Sequence, residues 1–215
     1  MMKAILFFCI VVSFVITGKV NLHAQDTSNY KKYIPIIRKH IFADYKGMYR
    51  QASGSLRYGF ISPGSQQYVN DLWDWDSWLS NIALRQVLME IGSEADKKEA
   101  LIYEKGCVLN FLSYGGYDGW VPIVISPGAG GRDDIMPSNP FKNNMHKPVL
   151  AQHAAFITQI QDNNAEWLRD GYYYLQTFVN NYRMHHRNKL TGLYFWQDDR
   201  AIGVDNDPCT FSRPR

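Results

Sequence analysis

The chain has 215 residues, 46% of them hydrophobic and 20% charged, with a formal net charge of +3. That composition supplies apolar mass for one sizeable core, and the scattered Lys and Arg exclude the clustered basic stripe that a nucleic-acid backbone requires. Aromatic residues reach 14%, with 14 Tyr, 11 Phe and 6 Trp; flat rings with polar edges pack a helical core and also suit sugar faces.

The N-terminus reads as a secretory signal over residues 1–24. Lys3 supplies a positive n-region, Ala4 to Ile16 an apolar h-region, and Ala24 a small residue at a cleavage point. The apolar run is short of the ~20 residues that cross a bilayer, so no transmembrane anchor is expected in the mature chain. A periplasmic or secreted protein follows. Cys9 lies inside the signal, which leaves Cys107 and Cys209 either as one disulfide or as separate thiols.

Hydrophobic periodicity predicts five helices. The first covers residues 29–50, with Asn29 as cap and Tyr33, Ile36, Ile37, Ile41 and Tyr45 along one side. The second runs from Asp76 to Ile91, with Leu79, Ile82, Ala83, Val87 and Ile91 as its apolar stripe and Gly92 to end it. Ser93 caps a third through Leu112, carrying Leu101, Val108, Leu109 and Leu112. Pro148 opens a fourth with Val149, Leu150, His153, Phe156, Ile157 and Ile160, and the fifth spans Ala165 to His186 with Leu168, Leu175, Phe178, Val179 and Tyr182 inward. No alternating strand pattern of useful length occurs; Val121 to Ile125 comes nearest. The expected fold class is all-α, as helical hairpins whose long connections, residues 51–73, 113–147 and 188–215, carry Trp, Asp, Gly and Pro on one face.

Three of those connections bear candidate chemistry. Gly192 to Pro208 (G-L-Y-F-W-Q-D-D-R-A-I-G-V-D-N-D-P) sets four acids beside three adjacent aromatics. A carboxyl near a second negative charge, in apolar surroundings, keeps its proton toward neutral pH, and Asp205 with Asp207 offers that neighbourhood. The same residues also read as an Asp-Asn-Asp turn closed by Pro208. Asn70 to Trp78 (N-D-L-W-D-W-D-S-W) interleaves three Trp with three Asp just before a helix; Asp74 and Asp76 serve there as dipole-compensating residues, or Trp75 stacks on a sugar while Asp76 accepts from its hydroxyls. Gly115 to Gly128 is glycine-rich but lacks the Gly-Lys-Ser/Thr ending of a phosphate cradle, so it fits a substrate-facing rim. Metal-ligand and nucleophile-elbow spacings are missing, and His153 fits a hydrogen-bonded core histidine.

The order W-D-S (Trp75–Ser77), G-W-V-P (Gly119–Pro122), K-P-V-L-A-Q (Lys147–Gln152) and G-V-D-N-D-P (Gly203–Pro208) resembles the trehalase and processing α-glucosidase group, nearest glycoside hydrolase family 63 and the mannosylglycerate-hydrolase-like enzymes. The match spans Leu56 to Pro208. It implies an (α/α)6 toroid that hydrolyses α-glycosides of an oligosaccharide or disaccharide with inversion, without cofactor or metal. It also implies that Asp205 is the general acid and that Trp75, Asp76, Trp120, Trp196 and Asn206 line the sugar pocket. Residues 25–215 are then the N-terminal part of the catalytic domain, an incomplete toroid that stops before it closes. The base, a Glu in a later hairpin, falls beyond residue 215. Asp207, Cys209 and Gln152 depart from residues common in that group, which implies altered subsites. A carbohydrate-binding protein with an aromatic cleft and no chemistry is the competing reading. A sugar epimerase or lyase using His146 or His153 is a third.

Overall fold

The computed structural model describes residues 31–63, 69–129 and 145–195. Among them are five α-helices and four two-residue strands, so the chain is mostly helical, as expected. It divides into two units, Met1–Lys39 and His40–Arg215. Of the first, residues 31–39 are described; they include the opening of helix α1 (Ile34–Asp44), and Tyr33, Ile36 and Ile37 are exposed.

The expected first helix is shorter than 29–50. After Asp44 the chain tightens into a 3₁₀ turn (Tyr45–Met48) and extends as β1 (Tyr49–Arg50), which pairs antiparallel with β2 (Phe60–Ile61). Tertiary docking decides this. Tyr45 is buried and its hydroxyl donates to Asp96 Oδ1 at 2.7 Å, which a continuing α-helix would prevent.

β3 (Leu72–Trp73) pairs antiparallel with β4 (Val124–Ile125) and feeds directly into α2 (Asp74–Ile91). The helix therefore begins two residues earlier than its apolar pattern indicates, and the Asp74 N–H is satisfied by Ile123 O at 2.9 Å. Its rotation also differs from expectation. Leu79 is 55% exposed and Ile91 47%, while Ser77, Asn81, Leu84, Arg85 and Leu88 face inward. The inward polar groups are paired, except for Asn81 Oδ1, which has no partner among the described residues. Arg85 Nε donates to Glu104 Oε1 at 3.0 Å, its Nη2 to Glu104 Oε2 and to Lys97 O, and Asn81 Nδ2 donates to Ser77 O. A buried ion pair broken on one side costs about 3–5 kcal/mol, enough to outweigh the ~1.5–3 kcal/mol from burying one more Leu or Ile. Glu104 is thus fully buried.

Helix α3 (Glu94–Leu112) follows after only residues 92–93 and is the scaffold of the unit. Ser93 forms a capping box with Asp96: the Asp96 N–H donates to Ser93 Oγ at 3.1 Å and the Ser93 N–H to Asp96 Oδ2 at 3.0 Å. Against its other end lies the backbone of residues 58–61. The Asn110 side chain accepts from Tyr58 N and donates to Tyr58 O, and Cys107 Sγ accepts from Ile61 N at 3.3 Å. That approach requires glycine at 106, where a Cβ would lie 1.7 Å from Gly59 O. Cys107 itself is buried and free among the described residues, and Cys209 lies outside them.

Helix α4 (Leu150–Ile160) buries Leu150, His153, Ala154 and Ile157. The expected 165–186 helix is broken into a 3₁₀ turn (Glu166–Leu168) and α5 (Tyr172–His185), with Leu175, Phe178 and Tyr182 inward but Val179 outward. Phe60, Phe111, Phe178, Leu84, Leu150 and Ile157 form the centre of the core. No helix among the described residues is long and apolar enough to cross a membrane.

Hydrogen bonds from Ser93 and Tyr45 hold the Asp96 carboxyl down at about 2, below its ordinary 3.8. A carboxylate whose folded pKa is depressed stabilises the fold above its unfolded pKa and loses that contribution as pH falls through the folded value. Asp96→Asn is therefore expected to melt earlier than the parent at pH 7, with the gap closing towards pH 2; thermal melts across that range check it.

Candidate functional site

Three sequence-distant segments meet at the start of α2. Asp74 is fully buried in the first turn of that helix, where its charge is favoured by the dipole. Its Oδ2 accepts the Lys147 backbone N–H at 2.9 Å and its Oδ1 accepts Lys147 Nζ at 3.1 Å. The neighbouring His146 N–H donates to Val121 O at 2.9 Å, and Tyr182 of α5 donates its hydroxyl to His146 O at 2.8 Å. Together with the Asp74–Ile123 bond, these contacts lace residues 72–78, 121–125 and 145–147 into one locality.

Two groups there remain partly open. Trp75 and Asp76 are both half-buried. Lys147 Nζ stands over the Trp75 ring, 5.3 Å from its centroid, so one side of the indole is engaged by a fixed cation. Burial raises the pKa of the Asp76 carboxyl and the Asp74 charge adds to this, against opposing contributions from its own backbone hydrogen bond and Lys147. The arrangement offers a ring for stacking, a carboxyl that accepts or shares a proton, and an ammonium whose charge is balanced by Asp74.

The other aromatic residues expected here divide. Trp120 is 4% exposed and belongs to the core, its backbone N–H donating to Asp118 Oδ1 at 3.0 Å, so it backs the locality and presents no open face. Trp78 packs on α4, 5.1 Å from the His153 ring and 5.5 Å from Phe156. Trp196, Asp205 and Asn206 lie outside the described residues.

Both histidines of the third reading are wholly buried. His146 Nδ1 lies 2.7 Å from Lys147 O and therefore carries the proton, with its ring held edgewise against Phe111 and Phe178. Burial pushes its pKa down, and pushes that of His153 down to about 3 with a further push from His146. Neither ring reaches solvent to act as a base on a sugar. His153 departs from expectation too: it is a core residue, but neither ring nitrogen has a hydrogen-bond partner among the described residues.

Sequence reasoning missed Lys147 and the depth of Asp74, because the pair joins positions 73 apart. Among the described residues no group of three or more His, Cys, Asp or Glu could hold a metal ion. Comparison with family models, curated proteins and solved structures finds no match for this chain.

Asp74→Ala strands the Lys147 ammonium in the interior and is expected to cost about 3–5 kcal/mol, while Asp74→Ala with Lys147→Met recovers much of that loss; urea midpoints of both variants check it. Because the fold holds His153 neutral, its contribution is intact above pH 6.5 and is lost as pH falls toward about 3. His153→Leu should flatten the parent's loss of stability across that interval, read from denaturation midpoints at several pH values.

Proposed function

We propose that this chain is the acid-bearing part of an exported, inverting α-glycoside hydrolase with an (α/α)6-toroid catalytic domain. The observation that supports the reading is the convergence just described. Of the four motifs that carry the resemblance, three are W-D-S, G-W-V-P and K-P-V-L-A-Q. They lie far apart in sequence, yet residues within or next to each are joined by the Asp74–Lys147, Asp74–Ile123 and His146–Val121 hydrogen bonds.

In this reading Trp75 stacks on the sugar ring held at the deep end of the pocket, and Asp76 accepts hydrogen bonds from its hydroxyls. Trp120 supports the wall, while Trp196 and Asn206 complete it beside Asp205. The Asp205 carboxylic acid gives its proton to the leaving glycosidic oxygen as the C–O bond breaks. A second carboxylate removes a proton from the water that attacks the opposite face of the anomeric carbon, which inverts the configuration. The two carboxyls of such a pair stand about 6.5–9.5 Å apart to admit that water. Export follows from the signal over residues 1–24.

Assays of the complete enzyme, the base-bearing hairpin included, on α-glucosides, trehalose and mannosylglycerate test this. Asp205→Asn is expected to lower kcat by about 10²–10⁴, as loss of general-acid assistance does. Trp75→Ala should weaken binding of short sugars, followed by intrinsic fluorescence. Turnover that is equal with and without the Asp205 carboxyl removes the proton-donor role. Sugar binding through Trp75 with no turnover of any substrate turns the protein into the non-catalytic binding module instead.

A further inference from the structure

Helix α1 and the residues that lead into it combine two features that folding leaves unexplained. Tyr33, Ile36 and Ile37 are 51%, 52% and 55% exposed, and none of the described residues of the helix is buried. The Ile37 N–H donates to Tyr33 O at 2.9 Å, so Tyr33 stands one helical turn before Ile37, and with Ile36 the three side chains share one face. Apolar residues scattered singly on a surface are ordinary, but three on one face of one turn form a stripe.

The charges are as one-sided. Residues 31–39 (K-K-Y-I-P-I-I-R-K) carry four cations, Lys31, Lys32, Arg38 and Lys39, and no acid. The positive end of a helix dipole favours Asp or Glu, yet α1 has no acid in its first turn while Lys31 and Lys32 stand just before it, so helix stability does not account for the choice. At about 100° per residue, Arg38 and Lys39 turn away from Ile37 to the flank and back of the apolar stripe. Lys32 Nζ lies 5.0 Å from the centre of the Tyr33 ring, which sets a cation at the edge of that stripe. An apolar stripe bordered by Lys and Arg is the pattern of a helix that rests in a membrane interface, its stripe among the acyl chains and its cations at the phosphates.

We propose that residues 31–39 form a reversible docking site for the surface of an anionic phospholipid bilayer. Two contributions add there: burial of Tyr33, Ile36 and Ile37 below the headgroups, and attraction of the four cations, each of which strengthens binding about fivefold at an anionic surface. At 11 residues, α1 is about 16 Å long, half the ~30 Å of a hydrocarbon core, so it lies in the interface and does not span it. Neither contribution suffices alone, because one short stripe binds weakly and exposed charges are screened by salt. Attachment of this kind does not depend on what the locality at Trp75 binds.

Cosedimentation with vesicles tests it, using the mature chain from Gln25, in which the apolar run Ala4 to Ile16 cannot itself insert. The vesicles are phosphatidylcholine alone, or phosphatidylcholine with an equal share of phosphatidylglycerol. The parent is expected to bind the mixed vesicles, to leave the neutral ones, and to be released at about 0.5 M salt, where screening shortens to a few Å. Ile36→Ser with Ile37→Ser and, separately, Lys32→Gln with Lys39→Gln should each bind at least about tenfold more weakly. Met89→Ser, which removes an exposed apolar side chain from α2, should bind like the parent. All these side chains are exposed, so the variants are expected to melt with the parent, and either pair decides if the other fails to fold. A parent that does not bind the mixed vesicles, or binds both kinds equally, overturns the proposal, as does parent-like binding by either folded pair. Loss confined to the lysine pair, with equal affinity for duplex DNA, overturns it in favour of a nucleic-acid contact. Self-association of the parent without lipid, abolished by the isoleucine pair and accompanied by no vesicle binding, assigns the stripe to a second copy instead.

Discussion

The buried pair of Asp74 and Lys147 is the constraint on which the locality at the start of α2 depends. Taking two charges out of water is costly, and the cost is recovered only when each finds its partner at short range and the remaining lone pairs are filled. Here one carboxylate oxygen takes the ammonium and the other takes the backbone amide of the same lysine. The double attachment specifies the position of a chain segment as well as a side chain. It places Lys147 Nζ over Trp75 and sets Asp76 between a negative and a positive neighbour. Trp75 and Asp76 owe their setting to this pair.

Elsewhere the second unit is organised by polar groups in its interior as much as by its aromatic core. Arg85 with Glu104 fixes the rotation of α2 against α3, and Asn110 and Cys107 of α3 bind the backbone of residues 58–61 as a neighbouring strand would. Such groups stabilise only when every partner is in place, so they favour one packing over near alternatives that apolar contacts alone would tolerate.

How much of this was legible follows from the range of each signal. α3 and α4 were readable because local cues agree: Ser93 as cap, Gly92 as stop, and apolar residues at helical spacing. The face of α2 was not. Leu79 and Ile91 obey the spacing yet face water, since Arg85 and Asn81 answer to partners on another helix. The break before α5 and the two-residue ribbon of β3 with β4 were also hidden, the latter because two residues are too few to show alternation. At the site, Trp75 and Asp76 stood out by local clustering and His153 by its place on an apolar helix side, whereas the Asp74–Lys147 pair and the burial of Trp120 and His146 are tertiary facts with no local signature.

Cys107 carries one more consequence. Its thiol sits at the contact of α3 with β2, and burial pushes its pKa up to about 12. Only the thiolate reacts with alkylating agents and oxidants, so in the closed structure this sulfur is protected twice, by lack of access and by lack of charge. Any reaction at Cys107 must therefore await separation of α3 from the 58–61 backbone. Its labelling rate is an internal clock for that opening event, in a chain that carries the reporter atom at the seam of its own scaffold.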